Sequence, residues 1–401
     1  MRIIVGTLSL TIASCVFGWE ITFDDAPLTA SERAWVADSG QVMVALDDLV
    51  PEMIDAYAFD FDGWQITIVA GEFGITAMVT SPTMKRDGFA ATFEEVPIVK
   101  DKVLWFPIEA LAALMNCSVE KSIQSKIILI RSPESQADTA EAASIAEQRR
   151  TSVANNSVYP RPEIEYFEDL LIPGSQGLVS ARLYDSRPSD PTNRAILVYI
   201  HGGGWRVGSI ASSDHVCRDF ANQSGQKILS IEYGMLPERP YPAGWEDAYS
   251  VVAWVREHHQ RLGIDLNRII VGGDSAGGNI ANAVAMMARD RGEFTVAGVI
   301  LAYPVLDMTA SWASFVFTDP VDAQSPYATA KNGPLEGMPP TLLLVAENDG
   351  LRSQGEKYAE LLAKASVTVD FDVVEGTQHG FLATHAKAKA RIGRFIQSAG
   401  K

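Results

Sequence analysis

Gly273-Asp274-Ser275-Ala276-Gly277 has the form G-x-S-x-G, in which glycines on either side of a serine let the chain turn sharply enough to lift the hydroxyl clear of a sheet. A free serine hydroxyl is a weak nucleophile and needs a base. Its addition to a carbonyl creates an oxyanion, which needs hydrogen-bond donors already aimed at it. A second glycine run, His201-Gly202-Gly203-Gly204-Trp205, fits that need, because side chains there would block the close approach of a carbonyl oxygen. The backbone N–H groups of Gly202, Gly203 and Ala276 are the expected donors. The chemistry these pieces would perform together is acyl transfer.

A nucleophile on such a turn takes its partners in chain order, acid and then histidine. Beyond Ser275 the chain holds only His379 and His385. His379 follows the apolar run Val367 to Val374 through a short loop, Glu375-Gly376-Thr377-Gln378. That puts it at the carboxyl end of a strand, where ligands bind in such sheets, and makes it the expected base. His385 lies in a helical Ala/Lys-rich tail and reads as a solvated helix residue, as do His258 and His259 on a polar helix face. Asp349 ends the strand Thr341 to Ala346 through Glu347-Asn348, before a helix beginning near Arg352. It is the expected acid, holding the imidazole in orientation and stabilising the imidazolium. Asp307 and Glu347 are the alternatives for that role. Asp274 should point away from the hydroxyl and act as a structural hydrogen-bond partner.

Such a constellation needs a rigid frame. After residue 159 β-rich runs alternate with helical ones, the order of a mostly parallel sheet covered on both faces. Ala195 to Ile200 is an unbroken apolar strand leading into the first glycine run, Lys227 to Tyr233 is the next, and Trp245 to His259 is helical. Arg268 to Val271 leads through the G-x-S-x-G turn into a helix from Ile280 to Arg289.

His201-Gly202-Gly203-Gly204-Trp205, Gly273-Asp274-Ser275-Ala276-Gly277-Gly278-Asn279, Asn348-Asp349-Gly350-Leu351-Arg352 and His379-Gly380-Phe381 occur in this order. Together they resemble the hormone-sensitive-lipase-like family of α/β-hydrolase esterases, over about residues 160 to 400. The resemblance implies Ser275 as nucleophile, Asp349 as acid and His379 as base. It also implies hydrolysis of short-acyl carboxylic esters through an acyl-enzyme, with no cofactor and no metal. Two departures stand out. Where the family has Tyr-Arg-Leu-Ala-Pro-Glu this chain reads Tyr233-Gly234-Met235-Leu236-Pro237-Glu238, losing a cationic side chain. The stretch from Leu306 to Pro339 is short for the family's cap helices, so a reduced cap and an open, shallow cleft are expected. Such a cleft suits a bulky alcohol such as an acylated carbohydrate of the acetyl-xylan or feruloyl type. Trp205, Trp312, Phe315 and Phe317 either line the acyl side or pack in the core.

The other 40% of the chain needs separate treatment. Residues 1–18 set Arg2 before an apolar run, too short to span a bilayer as a mature helix, and read as an export signal. Ile12-Ala13-Ser14-Cys15 resembles a lipobox, which would leave Cys15 as a lipid tether; ordinary cleavage after Gly18 is the alternative. The protein is therefore expected to be periplasmic, in the cell envelope or secreted. Laying Val44 to Leu49 over Phe106 to Leu111, an offset of 62 residues, also brings Trp64 to Val69 onto Lys126 to Arg131. A short helix followed by two strands recurs. This small α+β repeat module, residues 30–131, resembles the N-terminal stalk-like domain named after copper amine oxidases and implies a spacer or cell-envelope-binding role. Copper is not expected, since the first histidine is His201 and the module's one cysteine, Cys117, reads as core. Residues 132–158 read as a linker, part helical, in the position of a cap helix; residues 159–401 are the catalytic domain. With 33 basic against 50 acidic residues the formal charge is −17, which repels nucleic acid. From Glu20 to Asp62 eleven acidic residues stand against Arg33 alone, an acidic solvated face. A non-catalytic envelope-binding protein on a hydrolase scaffold is the reading from another class, and the complete set of triad residues argues against it.

Overall fold

The computed structural model describes residues 139–400 except 176, 191 and 309–315. Before these it describes residues 20–23, 26–27, 35–36, 42–45, 56–60, 65–70, 73–78, 83–86, 89–92, 97–100, 103–114, 118–122 and 127–131. The export signal, Cys15, Cys117, Trp312 and Phe315 lie outside the described residues. The chain divides into two compact units, Met1–Asp138 and Thr139–Lys401.

In the first unit the strand Val103–Pro107 pairs antiparallel with Val42–Ala45 and runs directly into the helix Ile108–Leu114. Met43, Phe106, Ile108 and Leu111 are buried there. The hairpin Ser118–Ser122 and Ile127–Arg131 follows, so the second copy of the repeat is a helix and then two strands. In the first copy the strands Ala56–Asp60 and Gln65–Ala70 pair antiparallel, while residues 46–55, which carry its expected helix, lie outside the described residues.

The second unit opens with helix α1, Thr139–Ser157. The segment expected as a part-helical linker up to residue 158 thus holds α1, which belongs to the second compact unit, Thr139–Lys401. Eight strands follow: β1 (Tyr166–Pro173), β2 (Leu178–Asp185), β3 (Arg194–Ile200), β4 (Lys227–Glu232), β5 (Ile264–Asp274), β6 (Gly298–Ala302), β7 (Thr341–Asn348) and β8 (Val369–Gln378). Their order across the sheet is β8-β7-β6-β5-β3-β4-β2-β1. Only β2 runs against the rest, pairing antiparallel with β1 and β4; the five other pairings are parallel. The sheet is mostly parallel, as an α/β-hydrolase fold requires.

The central strands show why. Every residue of β3 is buried, and alternate residues serve opposite faces. Ile196, Val198 and Ile200 join one core with Trp245, Val252, Ile280, Val284 and Leu362. Ala195, Leu197 and Tyr199 join the other with Val216, Phe220, Ile392 and Ile396. The helices α3 (Ala243–Glu257), α4 (Ala276–Arg291) and α5 (Arg352–Lys364) cover the first face; α2 (Ile210–Ser224) and α6 (Ala386–Ser398) cover the second. Helix α4 has Ala and Gly at many positions and is buried from Ala276 to Ala288, which lets it lie close against the sheet. Between Leu306 and Pro339 the described residues form two short 3-10 helices, Pro320–Gln324 and Ala330–Asn332.

Candidate active site

The turn from β5 into α4 is tight because two side chains are missing. A Cβ at Gly273 would stand 2.4 Å from the Ile200 carbonyl oxygen, and one at Gly277 only 2.0 Å from the same atom. With glycine at both places the turn folds onto the end of β3, and Ser275 takes φ 52° and ψ −119°. That is a strained conformation for a residue with a Cβ, costing on the order of 1–3 kcal/mol, and the neighbouring backbone offsets it. The Ser275 N–H donates to the Ala302 carbonyl at 2.9 Å, and its carbonyl accepts from Asn279 and Val305, both at 3.2 Å. The Asn279 side chain donates to the carbonyls of Val305 and Ala328 and accepts from the Trp245 indole, tying α4 to the loop after β6.

Three residues far apart in the chain meet at this hydroxyl. His379 Nε2 lies 2.9 Å from Ser275 Oγ, and His379 Nδ1 lies 2.7 Å from Asp349 Oδ2. An ionised carboxylate only accepts, so Nδ1 carries the proton and Nε2 is left to accept the serine hydroxyl. Asp349 is 6% exposed and His379 43%, so the charge is sheltered while the imidazole faces the cleft. The second Asp349 oxygen accepts from the Leu351 N–H at 2.9 Å, which fixes the carboxylate at the start of α5. Glu347 is not the acid: its carboxylate accepts from the Gly376 N–H at 2.7 Å and steadies the loop leading to His379. Asp307 is paired with Lys331. His385 caps α6, its Nδ1 accepting from the Ala388 N–H, instead of lying on a solvated helix face. His258 and His259 donate to the carbonyls of Trp254 and Arg256.

The glycine run after β3 corrects one expected donor. Asp274, beside the nucleophile, accepts from the Tyr199 hydroxyl at 2.6 Å and from the Gly202 N–H at 2.9 Å. The Gly202 amide is therefore spent within the fold. Gly203 and Gly204 follow at φ 126° and 59°, in the left-handed region that glycine enters without steric cost. A Cβ at Gly203 would lie 2.1 Å from the Val207 carbonyl oxygen. The Ala276 N–H opens α4 and belongs to the unpaired amides of a helix's first turn. His201 is 2% exposed, stacks on Tyr233 and donates from Nδ1 to the Gly202 carbonyl; burial lowers its pKa, so it stays neutral and structural.

Tyr303 was not singled out from the sequence. It takes φ 37° at the end of β6 and is buried, its ring edge-on to His379 and to Phe381, each at 4.8 Å between centroids. Burial first, and then the facing Asp274 carboxylate, raises its pKa well above the ordinary tyrosine value, so the hydroxyl keeps its proton. Its only signal in the sequence was a tyrosine ending a buried strand, which is too common to single out. The lost cationic side chain at Gly234 is replaced by another. A Cβ at Gly234 would lie 2.9 Å from Arg239 Cδ and Nε, and Arg239 Nη1 sits 2.7 Å from the fully buried carboxylate of Asp247. Arg239 thus occupies the space beside residue 234, bringing the charge from five positions further along. Trp205 is buried against Trp245 in the core. Phe317 is nearly buried and also lines a small cleft with Arg206, Leu236, Pro237, Pro240, Val316 and Thr318.

Comparison with known proteins bears on the fold and the family. The sequence profile of the Abhydrolase_3 family, described as an alpha/beta hydrolase fold, matches residues 197–383. The carboxylic ester hydrolase LipN of Mycobacterium tuberculosis is 36% identical over 253 residues, which are 56% of this chain and 66%, about two thirds, of LipN. The ethyl acetate hydrolase of Pseudomonas putida is 31% identical, over 54% of this chain and 73% of its own length. Among solved structures, an esterase from Pyrobaculum calidifontis is 36% identical with a TM-score of 0.60, and the likeness covers 63% of this chain and 93% of that one.

Proposed function

The chain belongs to the Abhydrolase_3 family of alpha/beta-hydrolase-fold proteins and is a carboxylic ester hydrolase, and from that premise we propose that it cleaves short-acyl esters through an acyl-enzyme on Ser275. Ser275 Oγ attacks the ester carbonyl while His379 Nε2 takes its proton, and Asp349 holds the resulting imidazolium. The oxyanion is met by the N–H groups of Gly203, Gly204 and Ala276, Gly204 standing where Gly202 was expected. One such donor is typically worth about 2.7–4 kcal/mol to the transition state. Collapse breaks the bond to the alcohol, which leaves with the proton from His379. Water, deprotonated by the same imidazole, then frees the acid and restores Ser275.

The observation that carries this reading is the unbroken run of hydrogen bonds Ser275–His379–Asp349, at 2.9 and 2.7 Å. The short acyl group is supported by the relative named as an ethyl acetate hydrolase. A second reading, an acylated carbohydrate of the acetyl-xylan or feruloyl type as substrate, is favoured by the short stretch between Leu306 and Pro339. Its described residues include the two 3-10 helices, Pro320–Gln324 and Ala330–Asn332. We place the enzyme outside the cytoplasm, tethered through Cys15 or released after Gly18, with the copper-amine-oxidase-like module as spacer or envelope contact.

Hydrolysis of p-nitrophenyl acetate, butyrate and octanoate, beside acetylated xylan, tests the substrate class. Acetate or butyrate is expected to be fastest; a preference for octanoate overturns the short-acyl reading, and the absence of acetate release from xylan removes the second. Ser275→Ala is expected to lower kcat on p-nitrophenyl acetate by on the order of 10⁴-fold or more. Unchanged turnover would refute Ser275 as nucleophile.

A further inference from the structure

Arg149 lies on α1, outside the segment matched by the family profile and within the part of the chain that reads as a linker. Its guanidinium makes four hydrogen bonds. Nη1 and Nη2 grip the Glu238 carboxylate at 2.9 and 2.8 Å, Nη2 also donates to the Leu236 carbonyl at 3.0 Å, and Nε donates to the Arg206 carbonyl at 2.8 Å. This is the two-pronged arginine–carboxylate geometry that fixes direction as well as distance.

The bond to Arg206 does not end there. A peptide group is planar, with its C=O and N–H pointing in opposite directions. The carbonyl of Arg206 shares its plane with the N–H of Val207, which donates to the Gly203 carbonyl at 3.0 Å. The carbonyl of Gly203 in turn shares its plane with the N–H of Gly204, one of the proposed oxyanion donors. The Arg206 N–H bonds the same Gly203 carbonyl at 3.2 Å, and the Leu236 N–H holds the Trp205 carbonyl at 2.8 Å. Gly203 and Gly204 have no Cβ to restrict their dihedrals, so the direction of the Gly204 N–H depends on what its peptide plane is bonded to.

We propose that Arg149 is a positioning residue for the oxyanion donors, acting through the two peptide planes Arg206–Val207 and Gly203–Gly204, so that α1 is part of the catalytic apparatus. This rests on the esterase reading above. Chains of hydrogen-bonded amides also polarise one another, so a cation at the far end strengthens the last donor as well as aiming it.

The test uses the full-length chain. Arg149→Ala is expected to lower kcat on p-nitrophenyl acetate by about tenfold with KM little changed, because the oxyanion exists only beyond the ground state. Affinity for an aryl trifluoromethyl ketone should fall by the same factor. That inhibitor adds Ser275 Oγ to its carbonyl carbon and passes the serine proton to His379, leaving a hemiketal oxyanion in the same place. Arg149→Lys, which keeps the charge and loses the fork, should fall between the two. Arg150→Ala is the control, since among the described residues Arg150 pairs with the exposed Glu147 one turn away, and it should match wild type. The proposal is overturned if Arg149→Ala equals wild type in kcat and ketone affinity while Ser275→Ala is inactive; the esterase reading then stands. It is also overturned if Arg149→Ala does not fold and Arg149→Lys folds with full kcat. If the wild type hydrolyses none of the esters, the esterase reading fails, and this proposal with it.

Discussion

At the scale of single residues, the site works by giving each polar group one task. Asp349 has one oxygen on His379 and the other on the Leu351 amide, so it can neither swing away nor take on the role of base. Its replacement by asparagine would leave the geometry almost intact and present an amide that can donate to Nδ1. The imidazole would then be held in the tautomer that cannot accept from Ser275. Asp349→Asn is therefore expected to lower kcat by roughly 10⁴-fold while KM moves little; a loss below tenfold in a steady-state assay would argue against Asp349 as the orienting acid. Asp274, only one residue from the nucleophile, is occupied by Tyr199 and Gly202 and bears on the chemistry only through the loop that it holds.

At the scale of elements, close packing between the end of β3 and the start of α4 decides where the hydroxyl stands. A Cβ at Gly277 would sit 2.0 Å from the Ile200 carbonyl oxygen and 2.5 Å from that of His201, the backbone of the last residue of a fully buried strand and of the residue directly after it. Neither can move without disturbing the glycine run that follows. Gly277→Ala is expected to destabilise the catalytic unit by at least the roughly 1–3 kcal/mol typical of an overpacked core, and to lower kcat in whatever remains folded. Thermal melting and turnover measured on the same preparation check this; a variant with wild-type melting and wild-type kcat would mean that the turn is looser than described. Helix α1 shows the converse. Its composition is that of a polar linker, yet one arginine on it meets two backbone carbonyls and a carboxylate of the catalytic unit.

At the scale of the whole molecule, the catalytic unit is joined to a separate N-terminal unit, and the proposed export signal bears on where both are found. Cys15→Ala is expected to move the protein from the membrane fraction to the soluble fraction in the host that exports it. Membrane association that persists in that variant would rule out a lipid tether at Cys15. The sequence alone determined the sheet-and-helix class and pointed to Ser275, Asp349 and His379 as the candidate triad, because each rests on a local pattern: buried apolar strands, a glycine-flanked serine, and polar residues directly after strand ends. That Asp349, not Asp307 or Glu347, meets the imidazole was decided by the structure. The sequence could not determine which glycine amides remain for an oxyanion, that Arg239 replaces the charge missing at Gly234, that Tyr303 packs on the imidazole, or that Arg149 bonds to the loop at Arg206. Each of those depends on which groups from distant parts of the chain arrive within hydrogen-bonding or packing distance. A local pattern carries no record of that, since the partners are chosen only when the strands pair and the helices close over them.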